Sequence, residues 1–378
     1  MKLFDVCRIG GRPVKKYAGL KKYIATGNII NNDIASFQMI EYNNKPSRAN
    51  VEIQSNDVLF AKMIDTVKVL KANDNNINNI YSTGFYCITP NDNVLQDYLY
   101  LYFNSEYFNL QKNKYCAGAT QKAINNDGLS KINIRNLPTI EDQKSIVKKI
   151  YNIENLIKIK KDEILKLESL IKSQFVEMFG DYKSIFQNWN NALVNDIADV
   201  TVGIVITPSK YYTDSNGVKT FRSLNIGKMK IKDTDWVYLS KEGNQINQKS
   251  ILKENQVLVV RSGKPGVSCV ITKEYEGCNA IDVIITTPSI EKINPVYLAS
   301  FTNYEPGMNQ IINGQNGVAQ KHFNVKSYQN LKIALPPIDL QNQFAQIVEQ
   351  IDKQKFEFEK SLKKLEELQA SLMQEYFG

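Results

Sequence analysis

The sequence predicts a mixed α+β (α/β) fold, duplicated, with its two copies separated by two long antiparallel helices that form a coiled-coil spacer. Three observations predict it: an internal repeat at an offset of 198 residues, two Gly- and Pro-free stretches with heptad spacing, and short β-branched runs divided by polar turns.

The repeat sets the organisation. Residues 137–180 laid over 335–378 without a gap agree at 13 of 44 positions. Among them are Leu137/Leu335, Pro138/Pro336, Ile140/Ile338, Gln143/Gln341 and the closing Phe179-Gly180 with Phe377-Gly378. Upstream, after a one-residue gap, Gly118-x-x-Gln121-Lys122-x-x-Asn125 mirrors Gly317-x-x-Gln320-Lys321-x-x-Asn324. Weaker echoes follow: Asn56-Asp57-Val58-Leu59 against Asn255-Gln256-Val257-Leu258, and Asp5-Val6 against Asp196-Ile197. A duplicated unit of one domain and one tail gives boundaries of 1–136, 137–180, 181–334 and 335–378.

Composition excludes several classes. Hydrophobic residues make up 43% and charged residues 23% of the 378, too apolar for a disordered chain. No stretch reaches the length of a membrane span and the start lacks a signal-peptide pattern, so the expected location is cytoplasmic, with no membrane partner. Five cysteines without a CxxC spacing, beside a single His322, fit neither a disulfide framework nor a zinc quartet, so no metal ligands are expected. The net charge of +8 divides as +6, +1, +4 and −3 over the four segments. Positive charge therefore sits in the two mixed domains, which predicts a polyanionic partner.

Each tail opens with a proline motif, LPTI or LPPI, and then runs about 38 residues without Gly or Pro, roughly 57 Å of helix. Thr139-Ile140-Glu141-Asp142 has the spacing of a capping box. Apolar residues alternate by four and three, placing Ile150, Ile157, Ile164, Ile171 and Met178 on one row and Ile146, Ile153, Lys160, Leu167 and Gln174 on the other. In the second tail the rows are Val348, Lys355, Leu362, Gln369, Tyr376 and Phe344, Ile351, Phe358, Leu365, Leu372. Polar interruptions fall on opposite rows, so the two different helices complement each other better than two copies of either one. Chain connectivity then favours antiparallel pairing, with two basic domains at opposite ends of a spacer and related by a pseudo-twofold axis. Such an arrangement suits two separated sites on duplex DNA.

Within the domains, strands are predicted at Val51–Ile53, Val58–Ala61, Phe85–Thr89, Val257–Arg261, Val267–Thr272 and Ile281–Thr286, and helices at Gln96–Tyr107 and from Val296 to about Tyr304. Polar turns between them combine cations with Tyr and Asn: Gly10-Gly11-Arg12-Pro13-Val14-Lys15-Lys16-Tyr17, and Thr207-Pro208-Ser209-Lys210-Tyr211-Tyr212. Cations meet phosphate, and Arg bridges guanine O6 and N7. The candidate DNA contacts are Arg12, Lys15, Lys16, Tyr17, Gln121 and Lys122 in the first domain, and Lys210, Tyr211, Arg222, Arg261, Lys264, Gln320 and Lys321 in the second.

These residues resemble the specificity (S) subunits of type I restriction-modification systems. The resemblance is carried by Gly118-Ala-Thr-Gln121 leading to Leu137-Pro138-Thr-Ile140-Glu-Asp-Gln143, by Gly317-Val-Ala-Gln320 leading to Leu335-Pro336-Pro337-Ile338-Asp-Leu-Gln341, and by Phe175-Val-Glu-Met-Phe-Gly-Asp181. It covers the whole chain in organisation and about a third of it in specific motifs. It implies that each mixed domain is a target recognition domain reading one half of a bipartite site on double-stranded DNA. It also implies that the helices set the spacing and dock two methyltransferase (modification) subunits, with restriction/translocase subunits joining through the complex. No catalytic residue and no cofactor is then expected on this chain, and S-adenosylmethionine, ATP and Mg belong to the partner subunits. The departures are at the domain starts: Gly10-Gly11-Arg12-Pro13 is similar to the family's GGTPS loop with Arg in place of Thr, while the second domain has Thr207-Pro208-Ser209 without the Gly pair.

Two other classes compete. A self-contained methyltransferase or nuclease needs a catalytic turn, and Asn294-Pro295-Val296-Tyr297 is the nearest candidate; its repeat counterpart, Leu95-Gln96-Asp97-Tyr98, keeps only the Tyr, so Pro295 reads as a helix-start residue. Arg261-Ser262-Gly263-Lys264-Pro265-Gly266 lacks the Gly at 258 and the hydroxyl at 265 that a phosphate loop needs. His322 has no patterned nucleophile or acid beside it. A coiled-coil scaffold without DNA binding does not account for the segregated positive charge.

Overall fold

The computed structural model describes residues 1–119, 121–135, 137–205, 208–313 and 323–378. They group into two compact units, Met1–Lys161 with Lys360–Gly378, and Asp162–Glu359.

In the first unit, Cys7–Ile9, Phe85–Pro90, Val58–Ala61 and Val69–Lys71 form an antiparallel sheet in that order. Phe85–Pro90 and Val58–Ala61 are buried at every position, which is why they read as continuous apolar runs rather than as alternating strands. A second sheet has the order Gln38–Ile40, Lys21–Ile24, Ile80–Ser82, Ala49–Val51, with Lys21–Ile24 parallel to Ile80–Ser82. Ile24 and Tyr81 from one sheet pack with Leu59, Leu70 and Phe85 from the other.

The opposite side of the first sheet is covered by helices. The single helix expected over Gln96–Tyr107 is two, Gln96–Asn104 and Glu106–Lys114. They break at Ser105, whose extended backbone turns the chain and whose Oγ accepts the Phe108 N–H at 3.2 Å. The break brings Phe103 and Phe108 against Phe60, with centroids 4.7–5.0 Å apart.

The second unit repeats the order of the first sheet, Ala198–Val202, Val283–Pro288, Val257–Val260, Ser268–Val270. Its other sheet, Tyr212–Thr213, Val237–Leu239, Val218–Phe221, Asn279–Ala280, keeps three strands in common but carries its fourth on the antiparallel edge, beside Val237–Leu239, where the first unit has Ala49–Val51 on the parallel edge, beside Ile80–Ser82. Val218–Phe221 runs parallel to Asn279–Ala280, as Lys21–Ile24 runs parallel to Ile80–Ser82. Pro295–Asn303 and Glu305–Asn313 are its helices. Asn294 caps the first by accepting the Val296 N–H at 2.8 Å, and Tyr297 is fully buried with its hydroxyl on the Ala334 carbonyl, so this segment starts a helix rather than forming a catalytic turn.

Both tails are helices of 40 residues, Ile140–Phe179 and Ile338–Phe377. They pair antiparallel, the beginning of each meeting the end of the other. In the first unit, Ile146, Val147 and Ile150 pack in one cluster with Phe377, Met373 and Tyr376, and Lys161 pairs with Glu366 at 2.9 Å. In the second, Phe175 and Phe179 lie 5.6 and 5.4 Å from Phe344. The two polar seam residues of the second helix meet carboxylates of the first: Lys355 Nζ reaches Glu168 at 2.5 Å, and Gln369 Nε2 reaches Glu154 at 3.1 Å, whereas Gln174 of the first bonds Glu177 on its own helix. The cap at Thr139 differs from the expected box. Its Oγ1 accepts the Asp142 N–H at 3.2 Å, and its hydroxyl donates to the Asp142 carboxylate at 2.7 Å.

Candidate nucleic-acid interface

In the first unit the loop after Cys7–Ile9 begins with two constrained glycines. Gly10 lies against Thr89 and the buried Asp57, and Gly11 has φ +73°. Beyond them Arg12 exchanges backbone hydrogen bonds with Glu52, both 2.8 Å, while its guanidinium reaches Gln54 at 3.4 Å. Lys15 and Lys16 are exposed, and neither takes part in an ion pair among the described residues. Tyr17 is half-buried, donates to the Ile40 carbonyl at 3.3 Å and meets Tyr42 edge-on at 5.6 Å. Burial, then Glu41 and Glu52, raise its phenol above the usual range. Lys21 stands over the Tyr17 ring at 4.9 Å and pairs with Glu52 at 3.3 Å. Glu52 therefore ties Arg12, Lys21 and Tyr17 into one group.

Gln121 and Lys122 are exposed in a different part of that unit, at the end of the hairpin Cys116–Ala117/Ala123–Ile124 that hydrogen-bonds to Lys62 and Ile64. Gly118 at φ +129° makes this turn, since a Cβ there would sit 2.6 Å from the Gln121 carbonyl oxygen.

In the second unit Lys210 is exposed over the Tyr211 ring at 4.5 Å, and Lys264 is exposed beside Gly263, whose φ is +84°. Arg222 and Arg261 turn toward the protein. Arg222 Nη2 donates to the Asp235 carbonyl, and Arg261, its side chain 11% exposed, pairs with Asp282 at 2.8 Å. Lys264 instead lines a cleft of about 670 Å³ with Lys228, Lys230, Lys232 and Lys355, where Glu168 is the acidic counterpart to Lys230 and Lys355. Lys228, Lys230 and Lys232 were not among the sequence candidates; their signal was an alternating Lys-x-Lys-x-Lys run on a hairpin. Gln320, Lys321, His322 and Thr207 lie outside the described residues.

All five thiols are held protonated by burial: Cys7 and Cys269 are pushed up to about 12, and Cys87, Cys116 and Cys278 are raised as well. None is prepared as a nucleophile. Among the described residues no cluster of His, Cys, Asp and Glu is arranged to hold a metal, and no helix is long and apolar enough to cross a membrane.

Residues 1–169 and 187–370 each match the family described as the type I restriction modification DNA specificity domain. The HindI specificity subunit of Haemophilus influenzae is 26% identical over 169 residues, 43% of this chain and 36% of that protein. The chain thus aligns with only about a third of that relative's length. The MjaIX specificity subunit of Methanocaldococcus jannaschii is 20% identical over 314 residues, 77% of this chain and 70% of that one. A chain solved in work on complex assembly and conformational transition of the type I R-M system superposes with a TM-score of 0.64 at 20% identity, covering 100% of this chain and 96% of that chain. The type I restriction-modification S subunit from M. genitalium gives 0.57 at 11% identity, covering 100% and 95%. At these identities the two structures show the fold.

Proposed function

The chain belongs to the type I restriction-modification DNA specificity family, and from that premise we propose that it is the non-catalytic DNA-recognition subunit of such a complex. Each basic α+β domain reads one half of a bipartite site, the paired helices set the gap between halves, and methyltransferase subunits dock on the helices. Restriction/translocase subunits join through the complex, and S-adenosylmethionine, ATP and Mg reside on the partners.

The observation that carries this reading is the duplication. The two units repeat the order of the first sheet and, in the second sheet, a strand held between an antiparallel and a parallel neighbour, yet the loops they present differ in sequence and charge. One scaffold used twice with different loops supports two readers of two different sequences. The cleft near Lys264 adds cations without a catalytic constellation.

The test is domain exchange. Replacing residues 1–136 by the equivalent domain of a relative, in a complex assembled with its methyltransferase, changes one half of the methylated site and leaves the other intact. Simultaneous change of both halves refutes the assignment of one domain to one half-site, and methylation by the isolated chain refutes the non-catalytic role.

A further inference from the structure

The two units share a device that the sequence repeat does not reveal. On the middle strand of the second sheet, Lys22 in one unit and Lys219 in the other occupy the same position, because Tyr23 and Thr220, the residues after them, begin the parallel pairing with Ile80 and Asn279. Each lysine stands over an aromatic ring just before the neighbouring strand: Lys22 over Phe37 at 4.6 Å and Lys219 over Trp236 at 5.1 Å. Such stacking holds an ammonium in place without neutralising it. The aromatic residues are 15 and 17 positions downstream of their lysines, so a fixed-offset alignment separates them.

That two-residue difference has a chemical consequence. In the first unit Asn28 closes the connection by donating to the Ser36 hydroxyl at 2.8 Å, and Lys22 is exposed with no carboxylate partner among the described residues. In the second, Asn225, the counterpart of Asn28, donates to the Thr234 carbonyl at 2.7 Å, and Arg222 supports the longer loop through the Asp235 carbonyl. The longer loop presents Asp233, which pairs with Lys219 at 3.2 Å and accepts the Trp236 indole N–H at 2.5 Å. These two hydrogen bonds, the indole's first, keep the Asp233 carboxyl below its usual range, so the pair is charged at neutral pH.

We propose that Lys22 contacts a phosphate of the DNA duplex, and that Asp233 withholds the equivalent Lys219 from that role, so that the two units grip the backbone with unequal electrostatic weight. The inference rests on the DNA-reading function above. It gives Arg222 the part of a positioning residue for the loop that carries Asp233.

Binding of the full chain to a short duplex of arbitrary sequence, measured against NaCl concentration, tests it. Lys22→Ala is expected to lower the slope of log K against log salt by about 0.9, one phosphate contact, and Lys22→Arg to restore it. Lys219→Ala leaves the slope unchanged. Asp233→Asn raises it by a similar amount, and that gain disappears when Lys219 is also Ala. Wild-type slope in Lys22→Ala, or a gain from Asp233→Asn that persists without Lys219, overturns the inference while the wild type still binds. Absence of salt-dependent binding by the wild type overturns the DNA-reading function itself, and the inference with it.

Discussion

Gln143 accepts the Leu95 backbone N–H at 2.9 Å, and its amide donates to the carbonyls of Asn93 and Pro138 at the same distance. Gln341 repeats the arrangement with Asn294 N–H at 2.9 Å and the Pro336 and Lys292 carbonyls at 2.8 and 3.3 Å. Both side chains are fully buried. Each glutamine therefore locks the first turn of a long helix to the loop that starts the domain's own helix. Gln143→Leu breaks these three part-buried hydrogen bonds and leaves one donor and two acceptors without this partner, a loss of about 1 to 3 kcal/mol in urea unfolding. Gln143→Glu keeps the acceptor for Leu95 but points a carboxylate at two carbonyls, so it is expected to be no milder. A wild-type midpoint in either variant would show that the clamp is dispensable.

Lys355 is a seam residue whose side chain is 11% exposed and whose ammonium meets Glu168 at 2.5 Å. The hydrogen bond from Lys355, then its charge, holds the Glu168 carboxyl below the usual carboxylate range. A carboxyl with a lower pKa in the folded than in the unfolded state stabilises the fold above the unfolded value, near 4.3, and loses that contribution as pH falls through the folded value. Lys355→Met removes the partner. Its stability deficit relative to wild type is expected at pH 7 and to narrow as pH drops through that window. A deficit of constant size from pH 7 to pH 3 would assign the role of Lys355 to packing of its methylene chain alone.

How much of this was legible follows from chain length and period. The long helices were readable because forty residues hold many turns of a heptad pattern, and their antiparallel pairing followed from connectivity. Phe85–Pro90 and Val58–Ala61 announced themselves as buried apolar runs. Strands of two to four residues, such as Ile80–Ser82, carry too few residues for a period, and their parallel partner at Lys21–Ile24 is remote in sequence. Ser105 hid a helix break because serine is tolerated inside helices as well as at their caps. Among the site residues, sequence identifies a cation in a polar loop but not its direction. Lys15 and Lys16 face solvent, whereas the guanidinium of Arg222 folds back onto a carbonyl within its own loop.

That difference in direction separates two classes of variant. Lys15→Ala, Lys16→Ala and Lys210→Ala remove exposed charge. Each is expected to weaken binding to every duplex sequence and to lower the salt slope by up to about 0.9, with melting temperature unchanged. Arg261→Ala removes the partner of Asp282, a residue held at φ +49°, and is expected to cost about 1 to 3 kcal/mol of stability. Equal melting temperatures across all four variants would show that the Arg261–Asp282 pair contributes nothing to folding.

Gly10 shows why the start of the first domain needs glycine. Its backbone N–H donates to the Cys87 carbonyl at 2.8 Å, which draws it against Thr89 and Asp57. A Cβ at this position would lie 2.7 Å from Asp57 Oδ1 and closer still to Thr89 Oγ1. Neither atom is free to yield: the Thr89 hydroxyl donates to Asp57 at 2.5 Å, and the same carboxylate accepts from the Gln54 N–H at 2.8 Å and the Cys87 thiol at 3.0 Å. In the second unit the strand runs two residues further before its glycine, Gly203, which donates to the Val283 carbonyl at 2.9 Å and lies against Ala280 instead. Gly10→Ala is expected to destabilise the chain by about 2 to 3 kcal/mol through overpacking. Thr89→Ala opens the space that the new methyl needs, so the double variant is expected to lose less than the sum of the two single losses in a double-mutant cycle. The surviving displacement would appear in the loop carrying Arg12, Lys15 and Lys16, as weaker binding to all duplex sequences. Strict additivity of the two substitutions would mean that Thr89 is not what excludes a side chain at position 10.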